Sequence, residues 1–297
     1  MKRSDFVGQG QWVGCRFRGG ESWVILSPIE QSIKRKIEAV GRPLREWDVQ
    51  INYGIKTGYN EAFVIDSVER EMLLSRCEDS AEHERTEAII RPILRGRDIK
   101  RYGYDWAGLW LINTHNGVKG SIPRIDIREY PSVKAHLDRY WDKLEHRADQ
   151  GDTPYNLRNC AYMEDFSKPK IMYPNMTKYL PFYYDEKKFI QNDKSFMITG
   201  SHLAYLTAFL NSSLFKFCFL NNFPELQGGT RELRKIFFDK IPVFPVSDAI
   251  NDQFVQIVQD IQQQYTPSKA MAIDSMIFDL YQLSEDERET IGFIDIQ

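Results

Sequence analysis

The sequence predicts an α+β fold (mixed α/β) that ends in a helical extension. Segments with helical periodicity alternate with isolated, short, strand-like runs, and the sequence contains no internal repeat or low-complexity tract. The chain has 297 residues, of which 42% are hydrophobic and 13% aromatic, so it can fill one large core or two modest ones. This composition favours a folded globular protein over a disordered one.

Hydrophobic spacing and turn residues predict the individual elements. Apolar residues recur about every four positions from Ile29 to Val40, which indicates a helix that Gly41 and Pro43 end. The other predicted elements are, in chain order, strands at 48–53 and 61–66, a charged helical or irregular stretch at 69–85, a strand at 106–113, an amphipathic helix at 131–145, a polar loop at 146–160, short strands at 170–174, 182–184 and 195–198, a buried helix at 203–220, and tail helices at 248–264 and 268–282.

Composition divides the chain into three predicted parts. Residues 1–22 are polar and Gly-rich, which is typical of a flexible leader or a severed linker. Residues 23–245 form the main fold, and residues 246–297 form a helical C-terminal extension. The extension holds two basic and ten acidic residues, a local −8, so the total of −3 leaves +5 on residues 1–245. Because DNA affinity depends on the cations that face phosphates, this distribution permits nucleic-acid binding without requiring it.

The cysteines and the hydropathy of the chain predict its location. Four widely spaced cysteines form no C-x-x-C pair, which favours a reducing, cytoplasmic location over a disulfide framework or a zinc site. No run approaches the roughly 18 apolar residues that are needed to cross a bilayer. We therefore expect no membrane partner.

The sequence lacks the motifs that chemistry on DNA would require. It has no Pro-Pro dipeptide, and therefore no [NDS]-P-P-[YF] segment, and neither H-E-x-x-H nor G-x-S-x-G occurs. Acidic residues and lysines at 164–168 and 185–188 have the residue types of a Mg²⁺-dependent nuclease, although charged runs of this kind are usually solvated. We predict no catalytic residue and no metal site in this chain, and a cryptic nuclease is the alternative hypothesis.

The Gly54–Phe63 segment is the first of four clusters that predict contact with nucleic acid. Its polar side chains, Lys56, Thr57, Tyr59 and Asn60, supply hydrogen-bond donors and a stacking surface suited to phosphate or a base edge. An ordinary hairpin with a polar tip is the alternative.

Three further clusters are basic. They are Arg95, Arg97, Lys100 and Arg101 around a glycine, then Lys170, Asn175 and Lys178 near a tyrosine, and then Arg231 and Arg234 after a Gly-Gly turn. Arginine forks suit phosphate or guanine, lysines interleaved with aromatic residues suit phosphate contact and stacking, and a Gly-Gly turn can aim N–H groups at phosphate. Each cluster has a structural alternative, namely pairing of Arg97 with Asp98, a solvated edge strand, and a helix cap through Thr230.

Short motifs also occur along the chain in a characteristic order. After Gly54–Phe63 come I-I-R-P-I-L-R-G-R-D-I-K-R-Y at 89–102, K-P-K-I at 168–171, L-N-S-S-L at 210–214, G-G-T at 228–230, I-P-V-F-P at 241–245 and I-F-D-L-Y-Q-L-S at 277–284. From about Trp23 to the C-terminus, this order resembles the TaqI-like C-terminal specificity domain. Such domains are the target-recognition half of type IIG restriction-modification enzymes and related adenine DNA methyltransferases.

The resemblance implies a DNA target-recognition domain of short twisted strands and packed helices at residues 23–245. It implies sequence-specific recognition of double-stranded DNA in bacterial defence, for a protein that methylates adenine N6 and carries a fused endonuclease. This chain would be the specificity fragment, with upstream methyltransferase and nuclease domains as partners. No cofactor is expected in the fragment, whereas S-adenosylmethionine and Mg²⁺ belong to the missing domains. A protein-interaction module that contacts no DNA is the competing hypothesis.

Overall fold

The computed structural model describes residues 26–294, in which twelve α-helices and fourteen short strands form. The predicted leader at 1–22 lies outside the described residues. The helices are α1 (Pro28–Val40), α2 (Asn60–Phe63), α3 (Ser67–Ser75), α4 (Ser80–Ile89), α5 (Pro131–Asp138), α6 (Trp141–Leu144), α7 (Leu203–Leu210), α8 (Ser213–Phe219), α9 (Lys235–Phe238), α10 (Asp248–Gln263), α11 (Pro267–Leu280) and α12 (Glu285–Ile291). The strands are β1 (Arg42–Pro43), β2 (Val49–Tyr53), β3 (Val64–Asp66), β4 (Ile90–Leu94), β5 (Ile99–Lys100), β6 (Gly103–Tyr104), β7 (Leu109–Ile112), β8 (Lys170–Pro174), β9 (Met176–Thr177), β10 (Tyr183–Asp185), β11 (Ile190–Gln191), β12 (Ser195–Gly200), β13 (Arg231–Glu232) and β14 (Pro242–Val243).

Two open sheets of four strands organise these elements. Sheet one has the order β10-β8-β12-β2 and is antiparallel throughout, with Met197 of β12 between Asn52 of β2 and Met172 of β8. Sheet two has the order β11-β4-β7-β3, in which the β11–β4 pair is parallel and the other pairs are antiparallel. The predicted mixture of helices and short strands in an α+β fold is confirmed.

Each sheet has its own hydrophobic core. Sheet one shares a large core with α1, α7, α8 and the C-terminal helices, for example through Ile198, Phe209 and Phe254. Sheet two shares a second core with α2, α3 and α5, for example through Phe63 and Leu137. Burial of each large apolar side chain stabilises the fold by about 1.5–3 kcal/mol. Helices of the C-terminal extension share the core of sheet one, so the described residues 246–294 pack against the main fold, and the predicted boundary at 245 stays a prediction.

The structure differs from several predicted elements. The strand predicted at 61–66 is only Val64–Asp66, because the residues before it form α2. The helix predicted at 203–220 breaks at Asn211, where the Ser212 hydroxyl accepts the Phe215 N–H at 3.1 Å and caps α8. The tail holds the additional helix α12, which begins at a Ser284 capping box.

The Gly54–Phe63 segment crosses from one sheet to the other and does not form a hairpin. It leaves β2 in sheet one and reaches β3 in sheet two, and the chain crosses back between β11 and β12. The two crossings are bonded, since the Gly54 N–H donates to the Ser195 carbonyl at 2.9 Å. We call residues 54–63, 94–96, 98 and 190–195 the sheet junction. The hairpin alternative is therefore wrong, because the flanking strands pair with different partners.

Among residues 26–294, no single helix is long and apolar enough to cross a bilayer. Residues Leu203–Leu210 and Ser213–Asn222 satisfy that test only together, as a pair bent by 63°.

Candidate nucleic-acid interface

The glycines of the two leading motifs allow close backbone approach at the sheet junction. A Cβ on Gly54 would lie 2.1 Å from the Asn192 carbonyl oxygen, and one on Gly96 would lie 2.7 Å from the Lys194 carbonyl oxygen. Contacts this short exclude any side chain at these two positions. Both motifs are therefore needed for the packing of the fold.

The Gly54–Phe63 cluster makes contacts within the protein. The Lys56 ammonium pairs with Asp149 at 2.9 Å, and the buried Thr57 hydroxyl donates to the Asn60 side-chain oxygen at 2.6 Å. The Tyr59 hydroxyl donates to Glu61 at 2.6 Å. The four predicted contact residues of this cluster thus have partners inside the chain, and their contact with DNA stays a prediction.

Arg95 and Arg97 are close in sequence but have different surroundings. The guanidinium of Arg95 donates to both carboxylate oxygens of buried Asp98, at 2.9 and 2.8 Å, and its backbone N–H donates to the same carboxylate at 2.8 Å. This pairing raises the pKa of Arg95. Arg97 is exposed, and its guanidinium has no partner among the described residues. The predicted alternative, in which Arg97 pairs with Asp98, is wrong, because Arg95 occupies that carboxylate.

Lys170 is the clearest correction to the predicted contact residues. Its side chain and that of Asp185 are both 0% exposed, and the ammonium lies 2.6 Å from the carboxylate. A second bond, of 3.0 Å, joins the ammonium to the Phe166 carbonyl. Burial lowers the pKa of Lys170, while Asp185 opposes that shift. A cation enclosed in this way cannot reach a phosphate, so its role is in packing β8 against β10.

A groove of about 490 Å³ brings together segments that are distant in sequence. It is lined by Gly96, Arg97, Ile99, Lys100, Arg101, Pro174, Met176, Thr177, Tyr179, Pro181 and Tyr265. Arg97 and Lys100 are exposed, and Tyr179 and Met176 on the other segment are 55% and 54% exposed. The groove thus combines cations with an exposed aromatic ring, the combination that binds a nucleic-acid backbone and its bases.

Arg101 lies at the base of the groove and is held in place. Its guanidinium donates to the Tyr265 hydroxyl at 2.9 Å and to the Asn211 carbonyl at 2.8 Å. Arg101 is buried, so it adds positive potential to the groove and fixes Tyr265 on its wall.

The fourth predicted cluster lies beside the groove through strand pairing. Strand β13 pairs with β9, so that Arg231 lies opposite Thr177, and the Leu233 N–H donates to the Asn175 carbonyl at 2.8 Å. Arg231 is paired with Glu225 at 2.9 Å, and Arg234, whose side chain is 59% exposed, is paired with Glu232 at 2.8 Å.

The predicted clusters therefore divide into two groups. Arg97, Lys100 and Arg101 line the groove, and Arg231 lies next to it, opposite the groove residue Thr177. Lys178 is exposed without a side-chain partner among the described residues, and it lines a separate pocket beside the groove residue Tyr179. The Lys56 cluster does not line the groove. Tyr265, which lies in the acidic extension, is not among the predicted contact residues. No local signal marks this residue, because its place on the groove depends on the distant Arg101.

The acidic clusters considered for a nuclease do not form a metal site within the part of the chain that the structure describes. No group of three or more His, Cys, Asp or Glu side chains there is placed to hold a metal ion. Asp165 pairs with Lys168 at 2.8 Å, and Asp185 is bonded to Lys170.

A family model matches about half of this chain. Residues 91–243 match the family model of the TaqI-like C-terminal specificity domain. The chain belongs to this family. The predicted resemblance is confirmed, and the chain is a specificity domain of the kind found in restriction-modification enzymes, in which the general role is DNA recognition.

Individual relatives agree with this membership in the TaqI-like family. The type II methyltransferase M.PaeR7I of Pseudomonas aeruginosa is 20% identical over 279 residues, which cover 92% of this chain and 45% of that protein. The type IIG restriction endonuclease BpuSI has a TM-score of 0.52 at 15% identity, covering 86% of this chain and 33% of BpuSI. The type IIL restriction-modification enzyme MmeI, solved in complex with DNA, has a TM-score of 0.59 at 13% identity, covering 84% of this chain and 35% of MmeI. The specificity domain thus spans less than half the length of each relative.

Proposed function

We propose that this chain recognises a short sequence in double-stranded DNA for a restriction-modification protein. The observation that carries the proposal is the groove, where segments 95–101 and 174–181 meet beside β13. Family membership supports the same assignment. In this proposal Arg97, Lys100 and Lys178 bind phosphates, because their side chains are exposed. Lys100 pairs with the exposed Asp105 at 3.6 Å, and a phosphate would replace that contact.

Phosphate contacts fix the position of the duplex, and other side chains read it. Tyr179, which is 55% exposed, supplies a ring for stacking or van der Waals contact beside the cations. Arg95 and Lys170 have no part in this contact, because each is committed to a buried carboxylate.

We further propose that the chain supplies specificity to adenine-N6 methylation, and to cleavage by an associated endonuclease, in the bacterial cytoplasm. The match to a type II methyltransferase and the fold of two restriction enzymes support this assignment. In this proposal the catalytic parts, and not this chain, bind S-adenosylmethionine and Mg²⁺. The specificity domain then acts by holding the duplex in register while another domain carries out the reaction.

A salt titration of DNA binding tests the groove. The variant Arg97→Ala/Lys100→Ala/Lys178→Ala removes the two exposed cations that line the groove, together with exposed Lys178, which precedes the groove residue Tyr179. The control Arg76→Ala/Lys119→Ala/Lys143→Ala removes the same residue types from exposed positions that do not line it. Each phosphate contact contributes about 0.9 to the slope of log affinity against log salt, so the groove variant is expected to lower the slope by about 2 to 3.

The measurement is a fluorescence titration of a labelled duplex at several salt concentrations. The control variant should keep the wild-type slope. Equal loss of slope in the two triple variants would contradict the groove as the binding surface. If the wild-type chain binds no DNA at low salt, the DNA-recognition proposal itself is wrong for this chain.

A further inference from the structure

A small antiparallel ribbon lies beside the groove, where β9 supplies Met176 and Thr177 to the lining. Strand β13 pairs with β9 on one side and, through the Glu225–Arg231 bridge, with the preceding segment on the other. The Leu226 N–H donates to the Thr230 carbonyl at 2.6 Å, which closes a hairpin at the end of this ribbon. We call residues 224–232 the ribbon hairpin.

The base of the ribbon hairpin is fixed to the core of sheet one. Phe223, which precedes it, is 0% exposed, and its ring centroid lies 4.9 Å from that of Phe238. The guanidinium of Arg231 donates to the Phe223 carbonyl at 3.0 Å and pairs with Glu225 at 2.9 Å. These contacts join the two arms of the ribbon hairpin to each other and to the core, so the base is held in one position.

The tip of the ribbon hairpin is open to solvent. Gly228 and Gly229 have φ of +74° and +77°, and no described atom lies within 4 Å of a Cβ built on either residue. Glycine is therefore required for the shape of the turn and not for the space around it. Gln227 is exposed, and Leu226 is an apolar side chain with 38% exposure.

We infer that the tip of the ribbon hairpin reads an A·T base pair in the major groove of DNA, an inference that rests on the proposed function. The major groove is about 12 Å wide and admits a two-stranded β-ribbon. A glutamine amide offers the donor and acceptor that match adenine N6 and N7, and an apolar side chain packs on the thymine methyl group. Gln227 contacts the adenine, and Leu226 contacts the thymine methyl.

The charges near the ribbon hairpin are consistent with base reading at its tip and phosphate binding at the groove. Arg231 and Glu225 neutralise each other at its base, so the tip carries no excess cation that would bind every sequence equally. The exposed cations Arg97, Lys100 and Lys178 lie on or beside the adjoining groove, where they bind phosphates. Affinity and sequence preference therefore depend on different residues.

Selection from a pool of randomised duplexes tests the inference with the full chain. The variants are Gln227→Ala and Leu226→Ala, and the controls are Gln253→Ala and Met271→Ala, which alter exposed residues of α10 and α11. We expect the wild type and both controls to enrich one motif with an A·T pair. Gln227→Ala should lose discrimination at that pair by about 5- to 150-fold, with an unchanged salt slope.

Modified duplexes of the enriched motif identify the contacts. Replacing the adenine by 7-deazaadenine removes N7 and should weaken wild-type binding but not that of Gln227→Ala. Replacing the thymine by uracil removes the methyl group and should weaken wild-type binding but not that of Leu226→Ala.

The outcomes separate this inference from the proposed function. Salt-sensitive binding without any enriched motif, or with the same motif and discrimination in Gln227→Ala, would overturn the assignment of the ribbon hairpin while leaving DNA binding intact. Absence of all DNA binding by the wild type would overturn the two proposals together.

Discussion

The sheet junction and the groove contain similar residue types, but they differ in what those residues contact. At the junction, Arg95 is bonded to Asp98, and the backbone around Gly54 is packed against the opposite crossing. At the groove, Arg97 is exposed without a side-chain partner among the described residues, and the same holds for Lys178 beside the groove residue Tyr179. The contrast indicates that neighbouring residues of one motif separate into those that pack the fold, such as Arg95, and those that the fold leaves exposed as candidate DNA contacts, such as Arg97.

The largest expected effect concerns the buried cation of the second cluster. Lys170→Met would leave the Asp185 carboxylate enclosed without its ion-pair partner, which costs about 3–5 kcal/mol of unfolding free energy. Urea unfolding at neutral pH measures the loss. The salt slope of DNA binding should stay at the wild-type value under conditions where the variant is folded.

Lys168→Met is the matched control, since Lys168 lies two positions earlier and its side chain is 57% exposed. Removing an exposed ion pair of this kind should change stability by about 1 kcal/mol or less. A Lys170→Met protein with wild-type stability and a reduced salt slope would show that Lys170 reaches DNA after all.

The next largest expected effect is a difference in stability between alanine variants of two glycines. Gly54→Ala would place a Cβ 2.1 Å from the Asn192 carbonyl oxygen, so the junction must shift and we expect a loss of about 3 kcal/mol. Gly228→Ala also strains the backbone, at φ +74°, but meets no described atom within 4 Å, so about 1 kcal/mol is expected. Denaturant unfolding of the two variants provides the comparison, and equal losses would contradict the structural role given to the junction.

Local signals in the sequence predict the long helices and several strands well. The helix predicted over 29–40 is α1, with a capping box at Ser27, and the tail helices begin at caps formed by Ser247 and Thr266. These features depend on residues within a few positions of one another, so a single sequence contains all the necessary information.

Long-range pairing explains what the sequence could not predict. The hairpin at Gly54–Phe63 was a reasonable expectation from its glycines, but β2 pairs with β12 and β3 with β7. Likewise, the lysine at 170 looks like a surface residue of an edge strand until β10 places Asp185 beside it. Neither partner can be identified from local spacing.

The candidate site shows the same difference between local sequence signals and long-range contacts. Basic residues of the right types were predicted in each segment, yet their convergence depends on β9 pairing with β13 and on Tyr265 reaching Arg101. Those contacts are formed by the tertiary fold alone. The sequence therefore predicts candidate DNA contacts, and the structure shows which of them are exposed.

The smallest effects come from two arginines separated by one residue. Arg95→Ala leaves the buried Asp98 carboxylate with fewer donors, so we expect a loss of about 1–3 kcal/mol and an unchanged salt slope. Arg97→Ala should change stability by about 0.5 kcal/mol or less and lower the salt slope by about 1.

Conservative replacements of the same two residues make this last contrast sharper. A lysine at 97 keeps the charge that a phosphate needs, so Arg97→Lys should keep nearly the full salt slope. A lysine at 95 cannot reproduce the two parallel bonds to Asp98, so Arg95→Lys should recover only part of the lost stability. Full recovery of the wild-type free energy of unfolding by Arg95→Lys would mean that Arg95 stabilises the junction through its charge alone. A salt slope lowered equally in Arg95→Ala and Arg97→Ala would contradict the distinction between a residue that builds the junction and one that binds the ligand.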